Sequence, residues 1–307
     1  MLNTTIIRRP CVMSVTPEHR RDWSGLAKNT PNAPVAVLGI PFDSAVSFRQ
    51  GASHAPARIR QYSHFVTPIT EEGNSLDHVS VYDYGNVERD LDWERYFSSV
   101  ENAAKTALKH PFALFLGGDH SVTIPLHRAF NDTLGKSFGI LHLDAHTDLC
   151  DTYMGSRWSH ACTERRALEL SHMKPEHLVF IGIRSWEASE IDFLRANPGI
   201  TVHSARSTHV NGGEAVAADA VAKLRHLDAV YLTLDIDVLD PAYAPGTGTP
   251  ESGGLTSRQL IELLRLVFAE LPIKAMDIVE VAPPLDHSDI TSVAALKIIY
   301  EVFGWVK

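Results

Sequence analysis

Six short, nearly unbroken apolar runs do most to limit the fold of this chain: APVAVLGI (33–40), FALFLGG (112–118), FGILHLDAH (138–146), LVFIGI (178–183), AVYLTLDID (229–237) and AMDIVEV (275–281). Runs without polar alternation suit strands buried on both faces, the condition of a parallel sheet covered by helices. Helical periodicity lies between them. Tyr96, Val100, Ala104 and Ala107 share one face, and Leu260, Leu263, Leu264 and Val267 share another behind a Thr256-to-Gln259 capping box. The β-α-β-α order predicts an α/β fold of three layers, α-β-α, around a central, mostly parallel sheet.

No repeat, low-complexity tract or flexible linker divides the 307 residues, so one domain is expected over 1–307, with a polar N-terminal arm at about 1–30. The Pro/Gly-rich stretch DPAYAPGTGTPESGGL (240–255) follows directly on an apolar run and reads as an ordered loop at a strand end. A formal charge of −9 with no long basic run would repel a phosphate backbone, which argues against a nucleic-acid partner and mildly favours small cationic substrates. No apolar run is long enough for a membrane span, and MLNTTIIRRPCV lacks the apolar stretch of a secretory signal. The three cysteines, Cys11, Cys150 and Cys162, show no CxxC spacing and fit a reducing compartment, so the expected location is the cytoplasm.

Three of the apolar runs end in side chains that bind metals. GGDHS supplies Asp119 and His120, LDAHTD supplies Asp144, His146 and Asp148, and LDIDVLD supplies Asp235, Asp237 and Asp240. In open parallel sheets ligands bind beyond the carboxyl ends of the strands, where these clusters fall. A single Asp in such a place is more often a turn-former or helix cap, and that is the expectation for Asp119 and Asp240 taken alone. As a set they differ, because D-A-H-T-D and D-I-D, if extended, send alternate residues to one side and gather several carboxylates. Divalent cations would relieve that charge. A set richer in carboxylate than imidazole and lacking thiolate suits hard or borderline ions, manganese first. Roughly six candidate ligands allow a pair of ions, for which hydrolysis is the default chemistry. His142, inside ILHLDAH, is expected to face the opposite side of the sheet as a satisfied core histidine, and Asp119 to accept the His120 ring N–H or to cap a helix. Met154, Trp158 and Cys150 are expected to pack in a loop.

At these residues the chain closely resembles the ureohydrolase (arginase/agmatinase) family, whose three metal motifs GGDHS, HLDAHTD and LTLDIDVLDPAYAPGTGTPESGGL match almost letter for letter. The likeness extends to VLGIPFDSAVSFRQGASHAPARIR (37–60) and MDIVEVAPPLDHSDITSVAAL (276–296), and covers roughly residues 30–305. One departure is Ala55, where family members commonly carry glycine. The resemblance implies an arginase-like fold and a pair of manganese ions. One ion would be held by His120, Asp144, Asp148 and Asp235, the other by Asp144, His146, Asp235 and Asp237. It also implies His160 as proton shuttle, Glu280 as the carboxylate that grips a guanidinium, and Asp148 as a proton relay to the leaving amine.

Arginases carry an SGNxHG-like loop for the α-carboxylate and α-amine of arginine; here it reads LCDTYMGSRWSHA (149–161), similar to agmatinases. The implied reaction is agmatine to putrescine and urea. A guanidinobutyrase or other enzyme acting on a guanidino acid is the alternative, with Arg157 or Arg49 as carboxylate holder, and an inactive metal-binding scaffold is a third reading. By the same resemblance a homo-oligomer, trimer or hexamer, is expected.

Overall fold

A computed structural model describes residues 22–306; Cys11 and most of the expected N-terminal arm lie outside the described residues. Eight strands form one sheet: β1 (Val35–Gly39), β2 (Val81–Asn86), β3 (Phe112–Leu116), β4 (Gly139–Leu143), β5 (Leu178–Ile183), β6 (Thr201–Ser204), β7 (Val230–Asp235) and β8 (Ile273–Val279). Their order is β2-β1-β3-β8-β7-β4-β5-β6, and every neighbouring pair is parallel. The six apolar runs are the six inner strands. The two strands that the apolar pattern did not predict, β2 and β6, are the two edges. An edge is covered less completely, so VYDYGN alternates in burial and TVHS is only half-buried.

Helices cover both faces. On one side lie α2 (Trp93–Ala107), α3 (Thr123–Leu134), α4 (Thr163–Ala167) and α5 (Ala188–Ala196), packed on Ala36, Leu38, Phe115, Ile140, Phe180 and Tyr231. On the other lie α1 (Ala55–Ser63), α6 (Ala205–Asn211), α7 (Gly213–Leu224), α8 (Ser257–Glu270) and α9 (Ile290–Trp305), packed on Val35, Leu114, Leu141, Leu232 and Ile278. Alternate residues of each inner strand thus feed two cores, which is why these strands read as continuous apolar runs. The capping box forms as expected: Gln259 N donates to Thr256 Oγ1 (3.1 Å) and Thr256 N to Gln259 Oε1 (3.0 Å). Ala55, at the start of α1, has right-handed helical backbone (φ −56°), a conformation that needs no glycine. The 240–255 loop is ordered, bridged by Leu239 and Leu255 and pinned by Asp240, whose oxygens accept from the N–H groups of Ala242, Gly253 and Gly254. Among the described residues no helix is long and apolar enough to cross a membrane.

Candidate metal centre

β3, β8, β7 and β4 are consecutive in the sheet, so the segments leaving their carboxyl ends emerge side by side. β3 gives way to a 3-10 turn, His120–Val122, whose cap is Asp119. Before it, the backbone of Gly118 runs so close to Phe42 that a Cβ would lie 1.7 Å from the Phe42 carbonyl oxygen, so no other residue fits there. β4 stops at Leu143 and β7 at Asp235, and a second 3-10 turn spans Ile236–Val238. D-A-H-T-D and D-I-D are therefore not extended, contrary to the alternation expected of them. Turns, with Asp148 in a left-handed conformation (φ 53°), bring the carboxylates together instead. Glu280 is also left-handed (φ 60°). Such backbone costs on the order of 1 kcal/mol per residue, and its occurrence at two polar positions of one cluster marks a site rather than a packing accident.

His120 Nδ1 lies 3.0 Å from Asp144 Oδ2, 3.1 Å from Asp148 Oδ2 and 3.3 Å from Asp235 Oδ2. His146 Nδ1 lies 3.3 Å from Asp144 Oδ1 and 3.2 Å from Asp237 Oδ2. Asp144 thus offers one oxygen to each group. Adjacent ligands of a small divalent ion, at roughly 2.1 Å in octahedral array, are separated by about 3 Å, and these donors already sit at that spacing. His120 Nδ1, Asp148 Oδ2 and Asp237 Oδ2 are buried without a hydrogen-bond partner. Buried polar atoms are nearly always satisfied, so three orphans converging on one place fit cations as the missing partners.

Electrostatics agree. Burial, then repulsion from Asp237 and Asp144, holds Asp235 well above the usual carboxylate range. Burial pushes Asp148 up to about 7 against the pull of His120. Burial opposes charge on His120, but Asp148, Asp144 and Asp235 outweigh it and hold the ring well above its usual value. Like charges are therefore crowded into a buried space, a strain that bound cations would relieve. The donor set fits a binuclear metal site.

Directly beneath the ligands runs a buried polar row that crosses three strands in register: His142 on β4, Thr233 on β7 and Asp277 on β8. His142 faces the same side as Asp144, not the opposite side as expected, because two residues along a strand return to the same face. Its burial and its two satisfied ring nitrogens do make it a satisfied core histidine: Nε2 lies 3.0 Å from Asp144 Oδ2 and Nδ1 3.0 Å from Glu164 Oε1. Thr233 Oγ1 lies 2.9 Å from His120 Nε2 and donates to Asp277 Oδ1 (2.6 Å), which orients the His120 ring so that Nδ1 points into the centre. Asp119 does not reach that ring. It accepts from Ser121 N (3.1 Å) and Ala45 N (2.9 Å), the capping half of its expectation. Thr233, Asp277 and Glu164 were missed by sequence reasoning; the only available signal was their period-2 or helical spacing from the ligands.

His160 and Glu280 are brought together, with His160 Nδ1 3.1 Å from Glu280 Oε1, while His160 Nε2 is 2.9 Å from Ser47 Oγ. Glu280 Oε1 also accepts from the His120 backbone N–H (2.9 Å). Burial disfavours charge on His160, but the Glu280 hydrogen bond and the neighbouring acids outweigh it and push the ring up to about 9, above the near-neutral value expected of a shuttle. A cleft of about 150 Å³ opens over the cluster, with His120, His146, Asp148, Asp235 and His160 in its wall, while Glu280 sits beneath, 2% exposed. Arg157 pairs with Glu169, and Arg49 donates to the carbonyls of Thr247 and Gly248; neither lines the cleft. Met154 is 80% exposed rather than packed, whereas Cys150 is buried and Trp158 packs beneath the Arg128 guanidinium.

The family model for the arginase family matches residues 33–304. The agmatinase of Bacillus anthracis is 37% identical over 290 residues, covering 89% of this chain and 92% of that protein. Proclavaminate amidino hydrolase from Streptomyces clavuligerus superposes with a TM-score of 0.83 at 32% identity, over 92% of this chain and 95% of that one. Agmatine ureohydrolase of Thermoplasma volcanium does so with a TM-score of 0.82 at 31% identity, over 92% of each chain. With its eight-stranded parallel sheet and the His/Asp cluster at the strand ends, the chain belongs to the arginase family.

Proposed function

We propose that this chain is a binuclear manganese hydrolase that cleaves agmatine to putrescine and urea. The observation that carries the reading is the convergence of His120 on Asp144, Asp148 and Asp235, with His146 paired to Asp144 and Asp237, beside a linked His160 and Glu280. Manganese follows from the donors, carboxylates and imidazoles without thiolate. A bound ion pair would supply a hydroxide nucleophile at neutral pH by lowering the pKa of water. Glu280 Oε1 is occupied by His120 N–H and His160, so Oε2, near Gly248, is the oxygen that meets the guanidinium and fixes its carbon for attack. Asp148 is the proton relay to the departing amine and His160 the shuttle to and from solvent, its charged form favoured by the Glu280 hydrogen bond.

The tail of the substrate is read from the cleft wall, where the described residues include Glu187 and Glu190, which also cap the start of α5, but neither arginine nor lysine. An amine is favoured there and a carboxylate is not. With Arg157 and Arg49 committed to other partners, the guanidino-acid alternative lacks its cation. Agmatinase relatives support the same substrate. We also read the chain as one cytoplasmic domain, in keeping with the buried free thiols Cys150 and Cys162, and as a trimer or hexamer; light scattering that finds monomer alone overturns the last point. The deciding experiment measures urea release by manganese-loaded protein from agmatine, arginine and 4-guanidinobutyrate. Preference for agmatine is expected; preference for 4-guanidinobutyrate overturns the substrate, and no urea from any of the three overturns the enzyme reading.

A further inference from the structure

Glu164 is fully buried, yet among the described residues neither lysine nor arginine pairs with its carboxylate. Its Oε1 accepts a hydrogen bond from His142 Nδ1 at 3.0 Å, and among the described residues Oε2 has no hydrogen-bond partner. A side chain serving only to fill that space would be more stable as an apolar residue of the same volume, since a buried carboxylate loses its hydration. His142 is held on every side: its ring stacks on His120 at 5.0 Å and meets Phe180 edge-on at 4.9 Å. Its far nitrogen, Nε2, reaches Asp144 Oδ2 at 3.0 Å and the His146 carbonyl at 3.3 Å, so one ring spans the turn that carries both residues.

We infer that Glu164 and His142 form a buried positioning dyad that aims the Asp144 carboxylate, so that uptake of the ion pair depends on a glutamate that touches neither ions nor substrate. Asp144 is the residue that offers an oxygen to each half of the centre, and its Oδ2 is the atom His142 holds. The segment that carries Glu164 is tied to the same centre through its backbone. Glu164 N and Arg165 N donate to the Asp148 carbonyl (3.1 and 3.2 Å), and Thr163 Oγ1 lies 3.1 Å from the His120 carbonyl. The dyad therefore links α4 to residues from both halves of the cluster. This inference rests on the metal-centre reading above.

The test is Mn(II) alone, titrated into chelator-stripped full-length protein, with free Mn(II) followed by electron paramagnetic resonance and the melting temperature of the metal-free protein measured beside it. Glu164→Ala and His142→Phe are expected to weaken Mn(II) binding about 10- to 100-fold, the usual cost of losing a group that orients a ligand. Glu164→Gln, which keeps a hydrogen-bonding group against either form of the ring, is expected to restore binding to within about threefold. If Glu164→Ala fails to fold, His142→Phe with Glu164 in place carries the measurement. Wild-type affinity in Glu164→Ala or His142→Phe overturns the dyad while leaving the metal centre standing. Loss of binding in Glu164→Gln matching that in Glu164→Ala, with lowered melting temperatures in both, also overturns it, because the role is then structural. No Mn(II) uptake by the wild-type protein overturns the metal-centre reading and the dyad with it.

Discussion

Two buried acidic places in this molecule look alike by exposure and differ in everything else. On the edge strand β2, Asp83 Oδ1 accepts from Arg60 Nη2 (2.8 Å) and Gly85 N (2.8 Å), and Oδ2 accepts from Arg60 Nε (2.8 Å) and Trp23 Nε1 (2.7 Å). Every oxygen is satisfied and the charge is matched by a forked guanidinium, the strongest arrangement a protein can make for a carboxylate. At the ends of β4 and β7, Asp144, Asp148, Asp235 and Asp237 crowd together with two histidines, and among the described residues Asp148 Oδ2 and Asp237 Oδ2 make no hydrogen bond, with only a histidine ring nitrogen near each. Burial alone therefore does not mark a functional acid. What marks it is the unfinished hydrogen bonding among crowded like charges, which a cation would complete.

The largest effect that would separate the two places is expected from Asp235→Asn. It should lower manganese-dependent urea release by at least about a thousandfold, because the ions' share of the chemistry amounts to several kcal/mol. Near-normal release would mean that the cluster is not where the reaction occurs. Arg60→Ala should do the reverse, costing about 3–5 kcal/mol of unfolding free energy by stranding Asp83, with the folded fraction still taking up wild-type amounts of metal. Denaturant unfolding and elemental analysis check it, and a change below about 1 kcal/mol would remove Asp83 from the list of paired acids.

Adding manganese at about a hundred times its dissociation constant should stabilise the wild type by about 2.7 kcal/mol per bound ion, or roughly 4 °C in melting temperature for each at this chain length. The same addition should move Asp235→Asn far less and Arg60→Ala as much as wild type, read by scanning calorimetry with and without chelator. The smallest effect is expected from Arg157→Ala, whose partner Glu169 lies on the exposed surface; kcat/KM for agmatine should stay within about twofold. A large loss would bring Arg157 back as a substrate contact.

Legibility in the sequence followed burial. Inner strands announced themselves because both faces are covered and nothing polar interrupts them; VYDYGN and TVHS did not, since an edge strand keeps polar residues on its open side. His120, Asp144, His146, Asp148, Asp235 and Asp237 were all singled out as chemistry-bearing residues, and they are found together at the strand ends. The reason offered for their meeting was wrong in part. Turns gather them, and the left-handed backbone of Asp148 is invisible to any pattern of alternation. His142 was assigned to the wrong face, although its position two residues before Asp144 already pointed to the right one.

From the order of its residues alone, this chain determined its class of fold, the run of metal-grade side chains at the strand ends, and the likeness to a family of hydrolases. Those are local properties: periodicity, and short motifs whose residue types carry their own chemistry. The meeting of residues far apart in the chain was decided only by the tertiary structure. His160 against Glu280, Glu164 against His142, and Thr233 with Asp277 behind His120 depend on which strands lie side by side in the order β3-β8-β7-β4 and on where each helix starts. A hydrogen bond requires two groups within about 3 Å, and separations of 120, 22 and 113 residues leave no trace of that distance in the sequence.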